Sequence, residues 1–222
     1  MTETKNPFKR LLFVALILLP ASFMLLLSGC AALGLAANAL PRYQKPTYIG
    51  MTGQSIGVMV WADQGVLIDW PTIQLDLANG IQKKLSESKA EELEGTTYPV
   101  KPASIVRYQR DHPGIELASI NEVAPKFGVS RLIYIEIEDF RTRPELSMEM
   151  FRGSMLATIK VIEIENGQAK TGYEENGVRV LFPKKANEVG EPRIGDYRTY
   201  LGTLDECSTG VLNRFVKHDV EQ

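Results

Sequence analysis

Strictly alternating side chains in residues 131–140, RLIYIEIEDF, constrain the fold of this 222-residue chain more than any other feature. Successive side chains of a β-strand face opposite sides of the sheet, so this pattern predicts a half-buried strand. One face carries Ile133, Ile135 and Ile137, and the other carries Tyr134, Glu136 and Glu138. The chain is therefore expected to build a sheet with one apolar face and one more polar face.

A second alternating segment follows at residues 153–167, GSMLATIKVIEIENG, with Ala157, Ile159 and Val161 on one face. It ends in Asn166-Gly167, a pair that is typical of a tight turn between antiparallel strands. The sequence NGVRVLFP then predicts a further strand at residues 177–182. These segments together predict a β-meander.

The segments before the meander alternate between strand and helix. SIGVMVWAD, residues 55–63, is rich in Val and predicts a buried strand. Residues 70–88 predict an amphipathic helix that has Asp69 as its N-cap. Its apolar stripe consists of Ile73, Leu77, Ile81 and Leu85. TTYPVKP predicts a brief edge strand at residues 96–101.

Helices are expected both before and after the meander. ASIVRYQRDHP predicts a short helix, and residues 115–128 predict an irregular one because Pro125 interrupts it. Residues 196–217 predict a closing helix whose apolar stripe comprises Tyr197, Tyr200, Leu201, Leu204, Val211 and Phe215. The predicted fold is therefore an α/β or α+β domain, with a single mixed sheet of about five strands, helices packed on it and a closing C-terminal helix.

The first 29 residues have the three parts of a secretory signal. Residues 1–10 carry three basic residues against one acidic residue, and residues 11–27 form an uncharged apolar run. Two small residues then precede Cys30. We therefore predict a signal peptide at residues 1–29.

Leu27-Ser28-Gly29-Cys30 resembles the bacterial lipobox, which a lipoprotein signal peptidase cuts just before the cysteine. The resemblance implies that the Cys30 thiol carries a diacylglycerol and that the new α-amine receives a further acyl chain such as palmitate. Several acyl chains hold a protein on a membrane effectively permanently. The residue after the cysteine is Ala31, where in proteobacteria an aspartate favours retention in the inner membrane. The resemblance therefore implies the outer membrane.

An uncleaved membrane anchor is the alternative for residues 11–27, because 17 apolar residues reach the lower limit for spanning a bilayer. In the lipoprotein interpretation, residues 30–47 are the lipidated cysteine and a tether. Residues 31–46 of that tether reach about 50 Å when fully extended. Residues 48–222 are expected to form a single globular domain in the periplasm.

The charge of the mature chain argues against nucleic acid as a partner. Without the three basic residues and one acidic residue of the signal peptide, the totals of 25 and 27 fall to 22 basic and 26 acidic residues, a net charge of −4. A general nucleic-acid binder needs a basic field. The expected partners are instead the membrane, through the lipid on Cys30, and an envelope protein or a second copy of this chain.

Cys207 has no intrachain partner if Cys30 is acylated, because the chain contains only two cysteines. At 100° per residue it falls on the flank of the apolar stripe of the closing helix. We therefore expect a mostly buried, free thiol.

Paired glutamates offer the strongest hint of chemistry. Glu136 and Glu138 are two residues apart on one strand, and Glu163 and Glu165 are two residues apart on the next. Together they would make a carboxylate pair for acid–base catalysis or an oxygen-ligand metal site. The alternative is that they form the solvent face of an antiparallel sheet, and the absence of a nearby histidine or Asp-rich loop favours this second interpretation.

No nucleotide-binding glycine fingerprint, Gly-x-Ser-x-Gly elbow, His-x-x-x-His or Cys-x-x-Cys motif occurs in the sequence. We therefore expect no catalytic residue, cofactor or metal ligand, and the expected site residue is Cys30 as the point of lipid attachment.

IGVMVWAD, IQLDLANGIQKKL and INEVAPKFGVSRLIYIEIEDF, in this order, resemble a group of envelope lipoproteins around the curli-secretion lipoprotein. The TolB amino-terminal domain and the lipoprotein activators of penicillin-binding proteins share this general fold. The resemblance covers residues 55–165 and implies a non-catalytic domain that docks to envelope proteins or assembles into rings. The connections at 139–153 and 165–177 are too short for the bilayer-crossing hairpins of the curli channel.

Three functional hypotheses follow from the sequence. The first is a lipid-anchored envelope lipoprotein that acts as a non-catalytic binding or assembly accessory protein. The second is an envelope hydrolase or metal-dependent enzyme that uses the acidic strand residues. The third is a structural spacer between the membrane and the cell wall.

Overall fold

The computed structural model describes residues 43–144, 149–184 and 190–219. The predicted signal peptide (1–29), Cys30 and the tether up to residue 42 lie outside the described residues. The chain divides into two compact units. The first comprises Met1–Gln44 and Asp219–Gln222, and the second, Lys45–His218, contains the folded domain.

The main sheet has the strand order β2-β3-β4-β5, and a separate two-stranded sheet has the order β1-β6. The strands are β1 (Tyr43–Gln44), β2 (Ile56–Ala62), β3 (Arg131–Arg141), β4 (Gly153–Glu165), β5 (Gln168–Phe182) and β6 (His218–Asp219). The α-helices are α1 (Gln64–Asp69), α2 (Ile73–Glu87), α3 (Pro102–Asp111), α4 (Ile120–Val123) and α5 (Asp196–Asn213). Short 3₁₀ turns lie at Glu91–Leu93, Ile115–Leu117 and Ala124–Phe127.

The predicted fold class is confirmed. Strand β2 pairs with β3 in parallel, and β3, β4 and β5 form the predicted antiparallel meander. The closing helix α5 follows the strands. The irregular helix expected at residues 115–128 is divided into a 3₁₀ turn, the four-residue α4 and a second 3₁₀ turn containing Pro125.

The predicted edge strand at residues 96–101 is wrong. Thr97 forms a single bridge with Ser55, and the chain then leaves the sheet and begins α3 at Pro102. Pro99 has no N–H to donate to a strand partner, which explains why the pairing does not extend. The main sheet of the described residues therefore has four strands.

Strand β5 begins at Gln168, nine residues before the predicted strand at 177–182. The turn before it is as predicted, because Asn166 and Gly167 both have positive φ, at 52° and 78°. The register of β4 and β5 has two irregularities, each with one extra residue in β5: Gly172 is extra at one, and Asn176 and Gly177 together lie opposite Thr158 at the other. Because of these bulges and the mixed polar sequence, apolar and polar residues do not alternate regularly along β5, and alternation does not predict its first half.

The helix predicted at residues 70–88 begins at Ile73 rather than after an Asp69 cap. Asp69 is instead the last residue of α1, which is capped by the Asp63 carboxylate accepting a hydrogen bond from the Gly65 N–H at 2.8 Å. The predicted apolar stripe of α2 is confirmed, since each of its members is at most 1% exposed: Ile73, Leu77, Ile81 and Leu85.

Helices pack on both faces of the sheet. Helices α2 and α5 pack on the face that carries Ile133, Ile135 and Ile137, here called the α5 face. Helices α3 and α4 pack on the opposite face, here called the α3 face, against Leu132 and Ile162. Among the described residues, no helix is long and apolar enough to cross a membrane.

Part of the predicted stripe of α5 is wrong. Tyr200, Leu204, Val211 and Phe215 are buried, whereas Tyr197 is 71% exposed and Leu201 is 44% exposed. The buried face instead includes hydroxyl side chains, at Thr199, Thr203 and Ser208. Each hydroxyl donates to a backbone carbonyl four residues earlier, which satisfies it inside the core.

The predicted burial of Cys207 is confirmed, since its side chain is 1% exposed and has no disulfide partner in the described chain. Burial raises the pKa of its thiol to about 12. The thiolate, which is the reactive form, is therefore scarce at neutral pH.

We expect Cys207 of the native protein to react very slowly with a bulky thiol reagent at pH 8 and to react fully once the protein is denatured. The Cys207→Ala variant provides the background signal, and we expect it to lose about 1 kcal/mol of stability or less through the small contact removed. Rapid labelling of the native protein would contradict the burial, and a reducible dimer would contradict the free thiol.

Candidate functional site: an ionic cluster at the end of the sheet

Seven titratable side chains gather where β3 begins and β4 ends, on the α5 face of the sheet. We call this group the ionic cluster. It contains Tyr48, Arg131, Glu163, Lys170, Tyr173, Glu175 and Arg214. Strand register explains the pairing at its centre, because Arg131 and Glu163 lie directly opposite each other on β3 and β4.

Arg131 is the buried centre of the ionic cluster, with only 8% of its surface exposed. Its Nε donates to the Tyr48 hydroxyl at 3.0 Å and to the Gly50 carbonyl at 3.2 Å. Another guanidinium nitrogen donates to the Ser130 carbonyl at 2.8 Å, and a third lies 3.9 Å from a Glu165 oxygen. A buried charge is tolerated only when its donors are satisfied, and here residues 48–50 supply part of that satisfaction.

Tyr48 connects Arg131 to Glu163. Its hydroxyl donates to Glu163 Oε1 at 2.8 Å, while Lys170 Nζ lies 3.1 Å from the other oxygen of that carboxylate. Burial and the bond to Glu163 raise the pKa of Tyr48 to about 12. The Tyr48 hydrogen bond, followed by the bonds and charges of Lys170 and Arg131, holds the pKa of Glu163 below its ordinary value.

Gly172 leaves room for the Glu163 side chain. A Cβ atom at position 172 would lie 2.6 Å from the carboxyl carbon of Glu163, closer than two such atoms can approach. Gly172 is also the extra residue of one bulge in β5. The bulge and the glycine therefore place the carboxylate where the Tyr48 hydroxyl can reach it.

A second ion pair extends the ionic cluster to α5. Arg214 Nε and a terminal nitrogen donate to the two oxygens of Glu175 at 2.7 and 2.8 Å, a bidentate arrangement. The Tyr173 hydroxyl also donates to Glu175. Arg214 holds the pKa of Glu175 below its ordinary value. The Tyr48 ring joins the two halves, with its centroid 6.2 Å from that of Tyr173 and 6.1 Å from that of Phe215.

The same cluster holds the backbone at the start of the domain. The amides of Thr47 and Tyr48 both donate to the Arg214 carbonyl, at 2.8 and 3.0 Å. Arg214 is the C-cap of α5, so this carbonyl is one that the helix itself leaves unpaired. The leading segment, residues 47–50, is thus fixed through both its backbone and its Tyr48 side chain.

The chemistry of the ionic cluster is suited to holding a chain rather than to proton transfer. A general acid or base works best when its pKa lies near the operating pH. The pKa of Glu163 and of Glu175 is instead lowered, and the pKa of Tyr48 and of Tyr173 is raised. Each shift moves the group away from neutral pH.

The structure separates the four glutamates of the carboxylate hypothesis. Glu163 shares a face with Arg131, whereas Glu136 lies on the opposite face and is aligned with Thr158. Five residues separate Arg131 from Glu136 along β3, which is about 17 Å. Glu138 lies beyond Glu136 and accepts a hydrogen bond from Thr158 at 2.8 Å. The two glutamate pairs therefore do not form one site, and in the described parts of the chain no group of three or more His, Cys, Asp or Glu side chains is placed to hold a metal.

Sequence reasoning missed the ionic cluster, although one signal for it was present. Arg131 and Glu163 have the same strand parity as Ile133 and Val161, which places opposite charges at the ends of two apolar faces. A charge at such a position needs a partner. No comparable signal identified Tyr48 or Arg214, because each of them is far in the sequence from the residues it binds.

No protein-family model and no curated protein matches this sequence. The solved structures that this chain matches include the hypothetical protein CT253 from Chlamydia trachomatis, at 14% identity and a TM-score of 0.44, covering 74% of this chain and 97% of that one. The lipoprotein GNA1162 from Neisseria meningitidis has 15% identity and a TM-score of 0.42, covering 72% and 96%. The PelC dodecamer from Paraburkholderia phytofirmans has 10% identity and a TM-score of 0.40, covering 80% and 97%.

We expect the Glu163→Gln variant to show that the ionic cluster stabilises the fold in a pH-dependent way. Because the folded pKa of Glu163 is lowered, its contribution is present above the unfolded value near 4.5 and is lost as the pH falls through the folded value. The variant should be less stable than wild type by about 1–2 kcal/mol at pH 7.

The difference between Glu163→Gln and wild type should shrink as the pH falls below about 4.5, in denaturant titrations at a series of pH values. Glu136→Gln, on the opposite face, controls for the loss of one negative charge. A Glu163→Gln variant as stable as wild type at pH 7 would show that the cluster contributes nothing to the fold.

Proposed function

We propose that this chain is a bacterial envelope lipoprotein, anchored through acyl chains on Cys30, that acts as a non-catalytic binding or assembly accessory protein. The proposed location is the outer membrane, with the domain of residues 48–222 in the periplasm. The proposed partner is another envelope protein or a second copy of this chain. No cofactor, metal or nucleic acid has a part in this proposal.

The observation that carries the proposal is the fixed junction between the leading segment and the domain. The lipobox at residues 27–30 places the anchor 17 residues before Thr47, and Thr47 and Tyr48 are bonded to Arg214. A flexible linker alone would keep an enzyme near a membrane. A fixed junction also defines the place on the domain at which the tether from the anchor attaches, which matters when the domain must bind a partner under restraint.

The charge distribution around the junction supports a holding role. The side chains that bind the leading segment are paired with one another, and the pKa values of Tyr48 and Glu163 are shifted away from neutrality. The geometry thus supports a structural role for the ionic cluster, and the exposed surface of the domain remains available for binding.

We expect Cys30→Ser to abolish both acylation and cleavage when the protein is expressed in a bacterium with lipoprotein processing. The unprocessed chain should be about 3 kDa heavier than the mature polypeptide because it retains residues 1–29. Mass spectrometry of the envelope fraction measures both changes, and Ser28→Ala, which keeps the cysteine and a small residue before it, is the matched control.

An intact Met1 peptide together with an unmodified Cys30 thiol in the wild-type protein would refute the anchor. Crosslinking of the wild-type protein in native envelopes then tests the binding role. Capture of one defined envelope protein or of a second copy would support it. Tight binding of a divalent metal that is abolished by Glu136→Gln would contradict it in favour of an enzyme.

A further inference from the structure

Exposed apolar side chains cluster around one aromatic pair. Five large apolar side chains are exposed among the described residues of the second unit, namely Ile49, Ile68, Leu117, Tyr197 and Leu201. Three of them lie close in sequence to the stacked pair Trp70 and Tyr200. We call Ile68, Trp70, Tyr197 and Leu201 the Trp70 patch. Contiguous exposed apolar patches mark surfaces that contact a partner or a membrane.

The Trp70 patch has a rigid support. The rings of Trp70 and Tyr200 stack with centroids 4.9 Å apart and an angle of 14°, and Phe140 packs edge-on against both. The Tyr200 hydroxyl donates to Asp76 Oδ2 at 2.6 Å. The half-buried Trp70 is therefore held in place, and the nearby segments carry exposed side chains at Ile68, which is 75% exposed, and at Tyr197, which is 71% exposed. Such a surface needs no rearrangement to engage an apolar phase.

The composition of the Trp70 patch fits the interfacial region of a bilayer. Tryptophan and tyrosine are enriched at that depth because each joins an apolar ring to a polar group. The exposed Arg198 follows Tyr197 directly, and the exposed Lys83 lines a groove of about 350 Å³ that Leu201 also borders. Both cations match the phosphates of lipid head groups, whereas the exposed Asp69 beside Trp70 and the acidic residues of the same groove, Asp76, Glu87 and Asp205, do not.

The length of the tether permits contact between the Trp70 patch and the membrane. Tyr197 is in the first turn of α5 and Arg214, which binds the leading segment, is at its end, so the two are about 25 Å apart along the helix. Residues 31–46 span up to about 50 Å when extended. The chain can therefore run from an acylated Cys30 to Thr47 while the patch rests on the surface that holds the acyl chains.

We infer that the Trp70 patch docks on the phospholipid surface of the membrane in which Cys30 is anchored. This inference rests on the proposed function, because the acyl chains supply the high effective concentration that a small patch needs. The docked domain has a defined orientation, with the α5 face towards the lipid at its Trp70 end. The opposite, α3 face then remains open to a partner in the periplasm.

The two tryptophans of the chain make a direct test possible. Trp61 lies on the α3 face, where it lines a small cavity with Tyr134 and Ile120, so it serves as an internal control. Full-length acylated protein is reconstituted in phosphatidylcholine–phosphatidylglycerol vesicles with or without brominated acyl chains, which quench nearby indoles. The Trp61→Phe variant reports on Trp70, and the Trp70→Phe variant reports on Trp61.

We expect Trp70 to lose most of its emission in the brominated vesicles and Trp61 to keep its emission. Adding Ile68→Glu and Tyr197→Glu to the Trp61→Phe variant should restore the emission of Trp70. Because both replaced side chains are exposed, these changes leave the core intact, and circular dichroism checks the fold. Leu117→Glu, at a side chain that is 88% exposed on another surface, should change nothing.

Flotation of the vesicles separates this inference from the proposed function. Protein that floats with the vesicles while Trp70 remains unquenched would overturn the docking and leave the lipid anchor intact. Shielding of Trp70 by a crosslinked second copy, instead of by lipid, would overturn the docking in the same way. Protein that does not float would overturn the anchor and the docking together.

Discussion

The rest of this structure depends on a guanidinium group that is almost completely buried. Arg131 begins β3 on the apolar face of the sheet, where a charge is tolerated only if protein groups replace the water it loses. Neighbouring strands cannot supply all of its partners. The domain satisfies Arg131 by folding residues 48–50 over it, so the start of the folded chain is fixed by the same contacts that satisfy the charge.

Other features of the fold follow from this arrangement. The bulge at Gly172 opens the space that the Glu163 carboxylate occupies, and Glu163 then accepts a hydrogen bond from the Tyr48 hydroxyl. Helix α5 ends where its Arg214 carbonyl meets the amides of Thr47 and Tyr48. Strand register, a bulge and a helix end thus converge on one junction. In our proposal, this junction connects a lipid anchor to a domain whose other surfaces bind.

Alternation and helical periodicity predicted most of the fold, because both patterns indicate which side chains become buried on folding. They placed β3, β4 and the buried stripe of α2 correctly. They failed where burial does not require apolar residues. Thr199, Thr203 and Ser208 are buried because their hydroxyls bond to the helix backbone, and Tyr197 and Leu201 are exposed although their spacing matched the stripe. Much of strand β5 was missed because its bulges break the alternation.

The ionic cluster was less predictable than the fold. The parity of Arg131 and Glu163 along their strands was visible in the sequence, but their connection through Tyr48 crosses 83 and 115 residues of chain. A single sequence carries no signal for such a distant hydrogen bond. Glu136 and Glu163, which the less favoured carboxylate hypothesis brought together, lie on opposite faces of the sheet. Spacing of two along a strand fixes a face within that strand and does not relate one strand to the next.

Amide hydrogen exchange at Thr47 and Tyr48 in the native protein tests the fixed junction most directly. We predict that both amides exchange as slowly as those of β3, and that Tyr48→Phe accelerates them while β3 remains protected. Exchange at the rate of an unstructured peptide in the wild-type protein would contradict the account. The leading segment would then be a loose linker, and the tether would have no fixed point of attachment on the domain.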